Sequence, residues 1–167
     1  MIRAAQPGDA ASIAHLYNHY IANSTTTFET EALSSEALAE RVANVQQGGL
    51  PWLVDQQAET LRGYAYAAVW KPRAAYRYTV ESTVYVDPAA AGVGIGTGLY
   101  EALMHELRAR SIHVVMSVLT LPNPPSIALH EKLGFEKVGH LREVGRKFDS
   151  WLDVGLWQLM LNQGGAR

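Results

Sequence analysis

Glu81, on an alternating stretch, and the six histidines are residues of this chain whose types could move protons near neutrality. Glu81 stands in the run Thr79–Val86, where Val80, Ser82, Val84 and Val86 alternate with Glu81, Thr83 and Tyr85. A period of two puts the two sets on opposite faces of a strand. A carboxylate flanked by Val, Thr and Tyr side chains can have its pKa raised and take a proton, directly or through water. Taken alone, an exposed strand glutamate is the simpler reading of the same residues, because most glutamates are solvated. His130 lies seven residues after Asn123 on a short helical stretch, and an imidazole that titrates near neutrality leaves acid and base roles both open. Between strand and helix runs Gly92-Val93-Gly94-Ile95-Gly96-Thr97-Gly98, a place where backbone amides and a helix dipole can hold an anion. Its spacing fits neither the dinucleotide loop G-x-G-x-x-G nor the nucleotide-phosphate loop, which needs Gly-Lys before Ser or Thr. Phosphate binding and a tight helix-packing turn are equal readings of the loop by itself. Lys71-Pro72-Arg73 and Tyr76-Arg77-Tyr78 gather a lysine and two arginines, either a solvated loop or planar donor forks for a carboxylate or other oxyanion. His15, His19 and His105 on helix faces, His113 at a strand start and His140 in the C-terminal region read as structural.

These groups need a scaffold, and the composition supplies one. The chain has 167 residues, 48% hydrophobic and 18% charged, which suits one domain (residues 1–167) with a substantial core and argues against a disordered chain. A formal charge of −2 lacks the basic field of a nucleic-acid binder. The absence of cysteine excludes disulfides, Cys-ligated zinc and a thiolate nucleophile. Metal ligation is not expected without a carboxylate or cysteine cluster. No apolar run reaches the ~20 residues of a membrane helix, and the first residues lack a signal-peptide core, so the expected setting is cytoplasmic, with no membrane partner.

Periodicity places the elements. Asp9 is expected to cap a helix carrying Ile13, Leu16, Tyr17, Tyr20 and Ile21, and a second helix opens near Ser34-Ser35 with Leu38, Val42 and Val45 before Gly48-Gly49. Strands are expected at 52–54, 63–70 and 79–86, then a long helix with Ile95, Leu99, Leu103 and Leu107, and an apolar strand at 113–119. Asn123-Pro124-Pro125-Ser126 opens a short helix that Gly134 ends. Strands at 136–143 and 153–161 follow, with a frayed tail at 163–167. The sum is an α/β domain with a mixed sheet flanked by helices.

Ser82-Thr83-Val84-Tyr85-Val86-Asp87-Pro88, the glycine loop, and Asn123 through Leu129-His130-Glu131-Lys132-Leu133-Gly134-Phe135 together resemble the GNAT N-acetyltransferase superfamily. The resemblance covers nearly the whole chain. Trp70-Lys71-Pro72-Arg73, Tyr76-Arg77-Tyr78, Leu129-His130-Glu131 and Val154-Gly155-Leu156-Trp157-Gln158-Leu159 are most similar to its phosphinothricin and methionine sulfone/sulfoximine acetyltransferase branch.

The resemblance implies a single GNAT-type domain, with a mixed, mostly antiparallel central sheet, that uses acetyl-CoA as co-substrate. The amides of Gly92, Val93, Gly94, Ile95, Gly96 and Thr97 would receive its pyrophosphate, and Gly94 and Gly96 would be bare so that no Cβ crowds the phosphates. The pantetheine arm would pair with Val84, Tyr85 and Val86 as an added strand. Asn123 and Lys132 match further cofactor positions. The superfamily usually opens the loop with Gln or Arg and often has a basic residue two further on. Ala91 and Val93 stand there, which shifts phosphate contact to the backbone and Lys132.

Glu81 matches the proposed base, and His130 stands where many members have an acid tyrosine. Phe28, Glu29, Lys71, Pro72, Arg73, Tyr76 and Arg77 match acceptor-lining segments. Without cysteine, transfer would be direct, with a backbone amide of the Val84 strand holding the oxyanion. The implied acceptor is the α-amino group of a small amino acid analogue such as phosphinothricin, methionine sulfoximine or methionine sulfone. The alternatives are a non-catalytic acetyl-CoA-binding module, or an acetyltransferase for protein N-termini or other amines. A homodimer is expected, and Trp151 and Trp157 read as core or subunit contacts.

Overall fold

Alternation and helical stripes sort the apolar side chains into two clusters, and a seven-stranded sheet lies between them. A computed structural model describes residues 1–161 of the chain; the tail expected at 163–167 lies outside them. In chain order the elements are β1 (Ile2–Ala4), α1 (Ala10–Asn23), α2 (Ser35–Gln47), β2 (Trp52–Gln57), β3 (Thr60–Val69), β4 (Thr79–Val86), α3 (Ile95–Ala109), β5 (Val114–Leu121), α4 (Pro124–Lys132), β6 (Glu136–Lys147) and β7 (Ser150–Met160). The strands lie in the order β1-β2-β3-β4-β5-β7-β6. Every neighbouring pair is antiparallel except β4 and β5, which run parallel.

One cluster packs α3, through Ile95, Leu99, Leu103 and Leu107, on Ala65 and Ala67 of β3, Val80 of β4, Val115 of β5 and Trp157 of β7. The other packs Ile13, Leu16, Tyr17 and Ile21 of α1 and Leu38 and Val42 of α2 on Trp52, Val54 and Tyr64. The expected alternation of β4 holds. Val80 and Ser82 are buried toward α3, and Tyr85 packs in the opposite cluster. Ser34 caps α2 by accepting the Ala37 amide at 3.1 Å. Asp9 does not cap α1, because its carboxylate is occupied by Arg3, at 2.7 and 2.8 Å, and by the Gln6 amide at 2.7 Å.

Several boundaries differ from the sequence reading. β1 was not expected, since three residues are too few to show alternation. β2 and β3 extend to meet near Ala58, a non-glycine residue at φ 50. β6 and β7 are longer than expected and are joined through Phe148 and Asp149, at φ 49 and 58. That two-residue turn has the twist of the Asn-Gly type without its sequence signal. Trp157 is core and Trp151 is exposed at 62%.

One irregularity decides the rest. Residues 79–81 of β4 pair with 114–116 of β5, and the two strands then part. β4 continues along β3, and β5 continues along β7. A gap opens through the sheet from Ser82 onward.

Gly96 sits where α3 starts beside this gap. A Cβ there would lie 3.2 Å from Leu129 of α4 and 3.6 Å from Val86 of β4. The missing side chain therefore serves helix packing, whereas Gly94, with open space around it, is needed for its φ of +88. Gly96→Val is expected to lower stability by about 1–3 kcal/mol through overpacking, read as a lower urea midpoint with an unchanged denaturant slope. An unchanged midpoint would remove Gly96 from the packing of α3.

Candidate active site

The gap between β4 and β5 opens into a cavity of about 1090 Å³ whose wall comes from both faces of the sheet. On the α1 and α2 face the wall includes Tyr17, Tyr20, Thr26, Thr27, Phe28, Tyr66, Glu81 and Tyr85. On the α3 and α4 face it includes Gly92, Gly94, Ile95, Gly96, Thr97, Tyr100, Asn123, His130 and Lys132. Because β5 has turned away, β4 from Ser82 onward presents an edge that an extended ligand could pair with. One acceptor position on that stretch is already used, since Tyr20 donates its hydroxyl to the Val86 carbonyl at 2.6 Å.

The glycine loop meets this edge. Gly92 and Gly94 take φ of +82 and +88, in the left-handed region that favours glycine. Gly94 is the N-cap of α3, and no side chain caps the helix. The first-turn amides and the positive end of the dipole are thus left to an anion. Val93 is 73% exposed and stands outside the cavity wall. Lys132, at the end of α4, is exposed on the wall. The Asn123 carboxamide caps α4, accepting the Ser126 amide at 3.3 Å.

Glu81 is half-buried in the wall, and burial pushes its carboxyl above the usual carboxylate range, partly opposed by the charge of Lys71. His130 is 1% exposed. Its Nδ1 lies 2.7 Å from the Ser126 carbonyl oxygen, which can only accept, so Nδ1 carries the proton. Nε2, 2.8 Å from the Tyr100 hydroxyl, is then the acceptor of that hydroxyl's hydrogen. Burial holds the His130 pKa down, opposed by the Ser126 bond, and the neutral ring is the one this geometry fits. Burial pushes Tyr100 up to about 12. Ser82 Oγ lies 3.3 Å from the Tyr100 oxygen and 2.7 Å from Ser117 Oγ. A buried hydroxyl chain therefore runs from β5 through β4 and α3 to His130. The two roles left open for His130 narrow accordingly, since the neutral ring has no spare donor and can receive a proton only through Tyr100.

Tyr100 was missed by sequence reasoning because it falls on the apolar stripe of α3. The available signal was a hydroxyl at a core position, facing a serine on the apolar face of β4. Of the expected acceptor residues, Phe28 is on the wall. Glu29 is not; it pairs with Arg41 at 2.7 and 3.2 Å. Lys71, Pro72, Arg73, Tyr76 and Arg77 are exposed and outside the wall. Lys71 lies 4.8 Å from the Trp70 ring centre and Arg77 4.5 Å from that of Tyr78. This loop nevertheless leaves β3 just after Ala68, the partner of Glu81. His140 is paired with Asp153 at 2.6 Å. Among the described residues no group of three or more His, Asp or Glu could hold a metal ion. No helix there is long and apolar enough to cross a membrane.

A half-buried carboxylate with a raised pKa, an open strand edge and an uncapped helix terminus meet in this one cavity. Comparison with known proteins supplies the family. Residues 2–156 match the family described as acetyltransferase (GNAT) domain. The chain is 41% identical to a phosphinothricin N-acetyltransferase from Streptomyces viridochromogenes, over 94% of this chain and 85% of that one. It is 34% identical to an L-methionine sulfoximine/L-methionine sulfone acetyltransferase from Salmonella typhimurium, over 99% and 96%. The crystal structure of a GNAT superfamily phosphinothricin acetyltransferase from Sinorhizobium meliloti, in complex with acetyl-CoA, superposes with a TM-score of 0.94 at 34% identity, covering 98% of this chain and 89% of that one. The chain belongs to the GNAT acetyltransferase family, an N-acetyltransferase whose co-substrate is acetyl-CoA.

Proposed function

We propose that this enzyme acetylates the α-amino group of a small amino acid analogue of the phosphinothricin, methionine sulfoximine or methionine sulfone type, by direct transfer in a ternary complex. The observation that carries the reading is one cavity with Glu81 on one face of the sheet and the Tyr100–His130 pair on the other. Acetyl-CoA occupies the α3 side. Its pyrophosphate lies on the amides of residues 92–97, its pantetheine arm runs along Val84, Tyr85 and Val86, and Asn123 and Lys132 flank it. The acceptor occupies the Glu81 side, against Phe28, with its amine toward the carboxylate. Arg73 and Arg77, with Lys71, Pro72 and Tyr76, form a cationic and aromatic rim for its polar oxygens, and Glu29 braces the Phe28 segment through Arg41. Glu81 takes the amine proton, a β4 amide holds the oxyanion, and Tyr100, held in place by His130 and accepting from Ser82, gives its hydroxyl proton to the departing thiolate and is reprotonated from solvent. Two further features belong to the same reading. The setting is cytoplasmic. The enzyme is a homodimer, supported by exposed Val138, Leu141 and Val144 on β6 and Trp151 on β7; a protomer mass in sedimentation at micromolar concentration would overturn it.

Glu81→Gln is expected to lower turnover by about 10²–10⁴-fold, with acetyl-CoA affinity kept and activity partly restored at high pH, where the amine is already neutral. The raised pKa also fixes a stability change. A group whose folded pKa lies above its unfolded value contributes fully below the unfolded pKa and loses that contribution as pH rises through the folded one. Glu81→Gln should therefore be more stable than the parent at neutral pH, with the difference closing below the ordinary glutamate value of 4.5. Parental turnover at neutral pH would take Glu81 out of the chemistry.

Tyr100→Phe and His130→Phe are each expected to reduce kcat with little change in acceptor KM. The double variant should be no worse than the poorer single one, because groups that act as a unit are not additive. Multiplying losses would mean that the two act separately.

For the acceptor, kcat/KM in a thiol-release assay should be highest for methionine sulfone, methionine sulfoximine and phosphinothricin, and Arg73→Ala should raise KM more than it lowers kcat. Higher efficiency with spermidine or a peptide N-terminus would overturn the acceptor while leaving the acetyltransferase chemistry in place.

A further inference from the structure

Thr26, Thr27 and Phe28, in the segment that follows α1, wall the Glu81 side of the cavity, and the polar groups of residues 24–29 are held by other elements. The Tyr17 hydroxyl lies 2.7 Å from Thr27 Oγ1, and Tyr85 donates to the Thr26 carbonyl at 3.4 Å. The ties that span most of the chain come from the far end of β6. Lys147 donates its ammonium protons to the carbonyls of Ser24 at 2.7 Å and Thr27 at 2.9 Å. Lys147 is only 4% exposed. Burying an ammonium is costly unless it is well partnered. Among the described residues Lys147 makes no salt bridge, so carbonyls meet its charge. An aliphatic side chain could fill the slot without the desolvation cost. What it could not do is grip two carbonyls of one loop at once.

A neighbouring position on β6 supports the same reading. β6 is irregular between Leu141 and Gly145, where it carries more residues than β7 opposite, and such bulges re-aim the strand that follows. Beyond the irregularity, a Cβ on Gly145 would fall 2.2 Å from the Phe28 ring. Gly145 thus leaves room for Phe28, and Lys147 holds the backbone on either side of Thr26.

We propose that Lys147 is a positioning residue for the acceptor: its ammonium clamps the Ser24 and Thr27 carbonyls and, with Gly145 beneath the Phe28 ring, sets the height of the Thr26–Thr27–Phe28 wall opposite Glu81. The proposal rests on the placement of the acceptor on the Glu81 side. In Lys147→Met the KM for the best of the three amino acid analogues should rise roughly tenfold or more, the scale on which small misplacements act, while kcat falls less. Acetyl-CoA affinity, by calorimetry, should stay within about twofold, because the α3 side is untouched. Amide hydrogen exchange should quicken at residues 24–29 and not in the β2–β3 hairpin. Gly145→Ala, which keeps the ammonium and displaces Phe28, should give the same KM signature and decides the matter if Lys147→Met does not fold. Parental KM and parental exchange in either folded variant would overturn the proposal. So would equal losses of acceptor and acetyl-CoA affinity, the mark of general support. If the parent enzyme acetylates none of the analogues, the acceptor reading fails, and exchange at residues 24–29 still decides whether the clamp exists.

Discussion

Three rungs of parallel pairing between β4 and β5, and no more, are the constraint on which this molecule turns. Had the two strands stayed together, the sheet would be a continuous wall, and its two faces would share nothing. Their parting makes one space of groups carried on opposite sides of the sheet, and it leaves a strand edge without its neighbour. Backbone groups on such an edge seek a partner, so the geometry that creates the cavity also creates an affinity for an extended ligand. α3 starts beside the same gap without a capping side chain, which adds an anion-seeking terminus at one end of that edge.

Burial then acts on the two titratable groups in opposite directions with one result. It raises the Glu81 carboxyl and lowers the His130 imidazolium, drawing both toward their neutral forms. For the glutamate this means a stronger base than a solvated carboxylate. For the histidine it means a ring whose hydrogen-bonding pattern is dictated by a main-chain carbonyl on one side and a tyrosine hydroxyl on the other. The environment thus narrows the hydrogen-bonding pattern of a histidine whose residue type alone left acid and base both open.

Much of this was legible in the residues. The alternation of β4 placed Glu81 and Ser82 on opposite faces, the helical stripes marked both clusters, and the glycine run marked the start of α3. What stayed hidden depends on long-range approach. Asp9 has the type and place of a cap, yet Arg3, brought back by β1, takes its carboxylate. Gly96 reads as phosphate clearance, yet its neighbour is Leu129, 33 positions later in the chain. Tyr100 is indistinguishable from a core tyrosine until Ser82 and His130 are set against its hydroxyl. Lys147 stands next to a turn near the end of a polar strand, and its burial depends on carbonyls of Ser24 and Thr27 from the other end of the chain. The basic loop at 71–77 shows the converse: its composition suggests a binding wall, and a single chain leaves it outside.

The turn joining β6 to β7 has a cost that its position explains. Phe148 and Asp149 both take positive φ, a conformation that glycine and asparagine hold with far less strain. By local criteria the turn is a natural target for thermostabilising redesign. The Phe148 ring, however, lies 5.1 Å from the Lys147 ammonium, close enough for its face to attract the cation and keep water from it. Replacing the aromatic residue with a better turn former would relax the backbone and unshield the lysine in one step. Gains in melting temperature obtained at this hairpin would then come with a looser grip on a loop at the other end of the sequence.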